Sequence, residues 1–218
     1  MYKFTIISIV ITCFLSCSSI ETKRIAPGYQ QAYYAIKNYF AGNQNSIITP
    51  EIVESIPYAS ALLQIDEGPV GLVILESIVG NKFVWISEDN VYIVTENGRI
   101  VETRGLENNL IKFNANYNYK NESSFGLIHN SYYSYDKPEL KNLKIKVKLS
   151  SSDLRSYKLF SKKIKLSLIE EEVSNDYLGW ERINKFWVDE SGFTWKIEQS
   201  ISPKLPVIKF EITKKPLT

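Results

Sequence analysis

The chain has 218 residues, 44% of them apolar and 23% charged, and carries a formal net charge of +2. That stock of apolar residues fills a core, which excludes a disordered chain, and the near-neutral balance gives no basic footprint for nucleic acid. Cys13, Cys17 and His129 are its only cysteines and histidine, which excludes a disulfide framework or a Cys/His zinc site in the body of the chain.

The first predicted element is a leader. Lys3 precedes residues 4–16, built almost wholly from Ile, Val, Phe, Leu, Thr and Ser, and polar residues follow from position 18. A helix that crosses a bilayer needs about 20 apolar residues. This run is shorter and has the charged start of a secretory signal. Leu15 and Ser16 before Cys17 resemble a lipobox, although Phe14 stands where Leu is usual, and Thr12 makes Cys13 the poorer candidate. Two ordinary buried thiols are the other reading. The expected organisation is a signal peptide over 1–16, lipid on Cys17, a linker over 17–26 and a β-rich domain over 27–218. Two or more acyl chains anchor a protein stably where one does not. Ser18 is not the Asp that commonly retains such proteins at the inner membrane, so the expected place in a Gram-negative host is the outer membrane, facing the periplasm.

Two helices come next. Tyr29, Ala32, Tyr33, Ile36, Tyr39 and Phe40 recur at three- and four-residue steps between Pro27 and Gly42 and form one apolar face. Thr49 as N-cap, Pro50 in the first turn and Pro57 as terminator predict a second, short helix. Beyond Pro57 the period changes to two. Short runs rich in Val, Ile, Tyr and Trp are separated by Glu67-Gly68-Pro69, Gly80-Asn81, Glu88-Asp89-Asn90 and Asn97-Gly98, the last being the preferred two-residue hairpin turn. This spacing predicts an antiparallel β-sandwich or barrel.

Residues 107–142 lose that regularity and read as a polar connection with one or two strands. Alternation then returns. Leu143, Ile145, Val147 and Leu149 oppose Lys144, Lys146 and Lys148, while Ile164, Leu166 and Leu168 oppose Lys163, Lys165 and Ser167. Phe193, Trp195 and Ile197 are expected inward on a hairpin, with Thr194, Lys196 and Glu198 outward. A last strand carries Ile208, Phe210 and Ile212. Such alternation predicts sheets with one wet face. The hairpin from Asn81 echoes the one from Asn184, which fits either two related halves (about 57–136 and 137–218) or a chance likeness.

Four landmarks in this order resemble a family. They are Pro57-Tyr58-Ala59-Ser60 entering the first strand, Asn97-Gly98-Arg99 running into Thr103-Arg104-Gly105-Leu106, Phe186-Trp187-Val188-Asp189, and Gln199, Pro203 and Lys215-Pro216. With the lipoprotein leader, they make residues 29–216 similar to the capsule and exopolysaccharide-operon lipoproteins of the GfcB/YjbF type. The resemblance implies a β-rich fold, no catalytic activity and no cofactor. It further implies a role in secreting or assembling a surface polysaccharide, with partners that include a periplasmic protein and an outer-membrane β-barrel. It provides no residue-level mechanism.

The alternative function is a glycan-binding module. Tyr132, Tyr133, Tyr135 and Trp180 are its candidate stacking residues and are expected to be exposed, whereas Trp85 and Trp195 read as core. The lysine rows would meet an acidic polymer, or simply be a solvated face. An enzyme reading needs two carboxylates flanking a bond. Glu170-Glu171-Glu172 and Asp189-Glu190 supply acids, but read as a charge run and a turn. His129 has no nucleophile motif around it.

Overall fold

The computed structural model describes residues 22–24, 48–205 and 207–216. Cys13, Cys17, the leader and the helix expected over 27–42 lie outside the described residues. The described elements are β1 (Thr22–Arg24), α1 (Pro50–Ser55), β2 (Ser60–Ile65), β3 (Gly71–Val79), β4 (Lys82–Ser87), β5 (Tyr92–Glu96), β6 (Arg99–Arg104), β7 (Leu110–Ala115), β8 (Ile128–Tyr135), β9 (Leu140–Ser151), β10 (Arg155–Lys158), β11 (Lys163–Asn175), β12 (Trp180–Val188), β13 (Thr194–Gln199) and β14 (Ile208–Lys214). Short 3-10 turns occupy Glu122–Ser124 and Asp176–Leu178.

All pairings are antiparallel and form one sheet, in the order β6-β5-β4-β3-β2-β14-β13-β12-β11-β9-β8-β7. The sheet curls into a nearly closed barrel. Its two ends, β6 and β7, are consecutive in sequence and meet at a seam, where Leu110 N–H donates to Thr103 Oγ1 at 3.0 Å. β1 pairs with the second half of β3, Thr22 opposite Val79, and β10 pairs with the start of β11. The polar stretch 107–142 therefore contains two strands, β7 and β8, and both continue the sheet from β9.

Side chains that point inward make one apolar core. Trp85, Tyr133, Phe186 and Phe210 are its largest fully buried members, with Ile93, Ile100, Leu110, Ile145 and Leu149 around them. Trp85 meets Phe210 edge-on at 5.3 Å and donates from Nε1 to Thr95 Oγ1 at 3.0 Å, as a buried indole needs. The outer face is not uniformly wet. Leu72 and Ile74 of β3 and Ile86 of β4 point outward under Val53 and Ile56 of the α1 segment, so the apolar run 72–75 is buried on both sides. A second outer cluster forms where the β10–β11 hairpin folds back, with Leu159 and Leu166 covering Trp187. Ile164, Leu166 and Leu168 thus belong to this outer layer rather than to the barrel interior.

The hairpin between β12 and β13 corrects one expected phase. A bulge at Trp187/Val188 lets Val188 face Thr194 while Trp187 faces Lys196. Thr194 is therefore buried, and Trp195 is only half-buried. Asp189 organises the turn: its Oδ1 accepts from Ser191 N and Phe193 N, each at 2.9 Å, and its Oδ2 from Trp195 Nε1 at 2.8 Å.

The β5–β6 turn packs against this bulge. Gly98 has φ of +81°, and a Cβ placed there would lie 2.1 Å from Thr194 Oγ1. Gly80, at φ +59°, has open space around it. Gly98→Ala is expected to cost at least ~2 kcal/mol by urea denaturation, and Gly80→Ala only ~1 kcal/mol, the backbone term alone. Equal costs would contradict the packing role of Gly98.

Candidate functional site: a caged ion pair in the barrel interior

β11 alternates Ile169, Glu171 and Val173 toward the interior, and Glu171 is fully buried while Glu170 and Glu172 face out. Arg99, the first residue of β6, is 3% exposed and meets it across the interior. The pairing is bidentate: Arg99 Nη1 donates to Glu171 Oε2 at 2.9 Å and Nη2 to Oε1 at 2.5 Å. Tyr117 Oη donates to the same carboxylate at 2.5 Å and Asn184 Nδ2 at 2.7 Å, so it accepts four hydrogen bonds. Phe113, Tyr119 and Phe186 stand with ring centroids 4.8–4.9 Å from the guanidinium carbon, and Tyr117 at 5.9 Å. The cation is enclosed by aromatic faces on the sides where it has no carboxylate.

The electrostatics follow from this geometry. Burial works to raise the Glu171 pKa, but Arg99 and the hydrogen bonds from Arg99, Tyr117 and Asn184 outweigh it, holding the carboxyl below its ordinary 4.5. Burial likewise works against the Arg99 charge, and Glu171 more than reverses it. Burial pushes the Tyr117 phenol up, so it stays a donor.

Neighbouring polar groups tie β6 into the same network. Gln199 of β13 accepts from Ile100 N–H and donates to Ile100 C=O, both at 3.0 Å, so one side-chain amide satisfies both main-chain groups of one residue. Asn184 Oδ1 accepts from Ser200 N–H at 2.8 Å. Tyr119 Oη donates to Asn97 C=O at 2.8 Å and shares a hydrogen bond with Thr194 Oγ1 at 2.9 Å.

Several residues singled out from sequence fall elsewhere. Tyr133, Tyr135 and Trp180 were expected at the surface, but all three are buried, because β8 is a strand that turns Ser131, Tyr133 and Tyr135 inward, with a register shift between the two tyrosines, and Trp180 packs against Tyr133. Tyr135 Oη donates to Ile201 C=O at 2.6 Å. Tyr132, on the opposite face, is exposed beside its cross-strand neighbour Lys144. His129 stacks on Tyr117 at 4.9 Å and bonds Ser124 O through Nε2. Lys144, Lys146 and Lys148 all face solvent, and Lys146 is paired with Asp176 at 2.5 Å. The two acid clusters are split by structural roles: Glu171 in the interior pair, Glu170 near Lys185 at 3.8 Å, and Asp189 in its turn. Among the described residues, no group of three metal-ligating side chains comes together.

Residues 33–213 match the family described as "Group 4 capsule polysaccharide lipoprotein gfcB, YjbF". The chain belongs to this family. Two Escherichia coli K12 lipoproteins are relatives. GfcB is 24% identical over 163 residues, covering 72% of this chain and 75% of that protein. YjbF is 23% identical over 219 residues, covering 94% and 95%. The fold is also similar to the crystal structure of the hypothetical lipoprotein YmcC from E. coli K12, with a TM-score of 0.67 and 19% identity over 84% of this chain and 97% of that one. Family membership makes this a capsule-associated lipoprotein, and its relatives carry no assigned enzymatic activity.

The family landmarks acquire physical roles in this fold. Gly98 and Arg99 bring the hairpin tip to the interior, Gln199 holds β6, Asp189 ties the turn, and Lys215 Nζ lies 4.2 Å from the centroid of the Phe193 ring. The partners Glu171, Tyr117 and Asn184 escaped the sequence reading. Their signal was phase alone, since Glu171 is in step with Ile169 and Val173, and Asn184 with Phe186.

Glu171→Ala is expected to cost ~3–5 kcal/mol, because it strands a buried guanidinium. The pH dependence has a fixed sign. With its folded pKa depressed, Glu171 contributes fully above the unfolded value of 4.5, and the contribution is lost as pH falls through the folded value. Urea melts of Glu171→Gln are expected to show a shallower acid loss than wild type as pH falls below about 4.5. Identical acid slopes would contradict the pairing.

Proposed function

We propose that this protein is a non-enzymatic accessory lipoprotein of capsule or exopolysaccharide export. In this reading lipid on Cys17, after removal of residues 1–16, holds it at the outer membrane facing the periplasm, where it works by contact with export partners, an outer-membrane β-barrel and a periplasmic protein among them. Family membership across residues 33–213 supports the link to capsule polysaccharide.

The observation that carries contact rather than conduction is the packed interior. Phe186, Phe210, Trp85 and the Arg99–Glu171 pair fill the space that a polymer would need, which leaves the outer surface to do the work. On that surface one cross-strand row runs Ile128, Lys148, Glu172, Ile183 over β8, β9, β11 and β12. Ile128 is 76% exposed and Ile183 50%, so two apolar side chains flank a matched Lys/Glu pair of positions. Apolar contacts ringed by polar groups are the usual anatomy of a protein–protein patch.

A second reading, recognition of the exported polysaccharide, is favoured by Tyr132 and Tyr177. Tyr177 is 93% exposed and follows Asp176, which pairs with Lys146, while Tyr132 stands opposite Lys144. Aromatics beside lysines suit a sugar with acidic groups.

Deleting the gene is expected to lower surface polysaccharide, and the wild-type gene to restore it. Ile128→Asp/Ile183→Asp at unchanged protein level is expected to restore little, whereas Tyr132→Ala/Tyr177→Ala failing instead would favour the glycan reading. Cys17→Ala is expected to retain its leader and leave the outer-membrane fraction. Unchanged polysaccharide in the deletion strain under inducing conditions would overturn the assignment.

A further inference from the structure

The β10–β11 hairpin carries an unbalanced charge. Between residues 155 and 165 stand Arg155, Lys158, Lys162, Lys163 and Lys165, with no acid among them. All five are exposed, while Leu159, Ile164 and Leu166 of the same hairpin pack into the outer apolar cluster over Trp187. Lys158 and Lys163 are direct cross-strand partners, and like charges so placed cost stability. Among the described residues none of the five is in an ion pair. Acids near the hairpin are taken: Glu211 accepts from Phe160 N–H, and Asp189 holds its own turn. Lys162 has a structural task, donating to Thr213 C=O at 3.2 Å with its ammonium 5.7 Å from the Trp195 ring centroid. The other four have none among the described residues, so the partner that fits them is an anion outside the chain.

The anchor end of the chain reaches the same end of the barrel. β1 runs antiparallel to β3 with Thr22 opposite Val79, so the chain enters β1 beside the Gly80-Asn81 turn. Five residue steps separate Cys17 from Thr22, a span of at most about 18 Å. Only β2 lies between β3 and β14, which is roughly 10 Å of sheet. The hairpin tip sits over the end of β14, where Lys162 meets Thr213, and its Phe160 packs with the α1 cluster on β3. At the opposite ends of β3 and β4 the turns carry acids instead, Asp66 and Glu67 before β3, Glu88 and Asp89 after β4. We propose that the β10–β11 hairpin binds anionic phospholipid headgroups through Arg155, Lys158, Lys163 and Lys165, and so sets which end of the barrel faces the membrane. This rests on the Cys17 anchor of the export reading. A lipid chain and a basic patch together make a stable attachment, and the patch supplies an orientation that an acyl chain alone does not. An acidic polymer would meet the same charges, but the short tether to Cys17 favours the bilayer.

The test uses the full chain, processed in its host, in vesicles whose phosphatidylcholine carries a headgroup nitroxide quencher. A bimane fluorophore is attached at Ser161→Cys on the hairpin or at Glu67→Cys on the far end. In vesicles that also contain phosphatidylglycerol, the label at 161 is expected to be quenched and the label at 67 not. That quenching is expected to be lost in high salt and in Arg155→Gln/Lys158→Gln/Lys163→Gln. The triple variant is expected to melt at or above the wild-type Tm, since it removes a like-charge pair. Mass spectrometry of the same sample reads acylation of Cys17 separately. A chain without acyl groups would sink the anchor and the orientation with it. An acylated chain quenched equally at both labels, or equally at 161 in phosphatidylcholine alone, would sink the hairpin contact and leave the anchor standing. A fluorescence shift at 161 produced by polygalacturonate, without quenching in phosphatidylglycerol vesicles, would also overturn the proposal and assign the strip to an acidic polymer.

Discussion

A guanidinium and a carboxylate carried into a β-lined interior must meet there, since neither tolerates burial alone. Arg99 and Glu171 are separated by most of the strand order, one on the terminal strand β6 and the other on β11. Their bidentate contact crosses the barrel interior and leaves little freedom in where the β5–β6 hairpin ends. Tyr117 and Asn184 complete the carboxylate, and aromatic rings cover the rest of the cation. Replacing such a pair with apolar residues is often neutral or stabilising, so the contact is better understood as specifying an arrangement than as adding net stability.

That reading explains how a sheet with two free ends avoids an aggregation-prone edge. Edge strands expose a row of unpaired N–H and C=O groups. Here Gln199 takes up both main-chain groups of Ile100 on β6, and Thr103 takes the N–H of Leu110 on β7. The seam is closed by side chains standing in for a ladder. Outside, α1 and the β10–β11 hairpin bury the apolar residues that the curved sheet leaves on its convex face. Enclosing the core from both sides leaves Ile128 and Ile183 as an exposed apolar pair across the β8–β12 face, and this contrast is what directs attention to that face as a contact surface.

Much of this was legible in the sequence, because β-strands announce themselves by period. The Asn97-Gly98 turn, the α1 segment behind Thr49 and Pro50, and the lysine-outward phase of β9 all follow from local chemistry. What failed was local reasoning applied to long-range facts. Glu171 was hidden in a run of three glutamates, and only its partner 72 residues away gives it meaning. Tyr133 and Trp180 sit in polar, irregular sequence that suggests exposure, yet strand phase and their mutual packing bury them. Ile164, Leu166 and Leu168 form an apolar face by alternation, but alternation reveals that a face is apolar, not which layer covers it.

Functionally, the fold presents a rigid body with a filled centre, and the family ties that body to capsule polysaccharide. The whole arrangement rests on Arg99 and Glu171 acting as one unit, and a double-mutant cycle in urea tests this most directly, with Arg99→Met, Glu171→Leu and the combined variant. The account predicts strong coupling: each single substitution loses several-fold more stability than the pair's double replacement, which recovers most of the loss. Losses that simply add would mean the two charges are independent, and the account would be wrong.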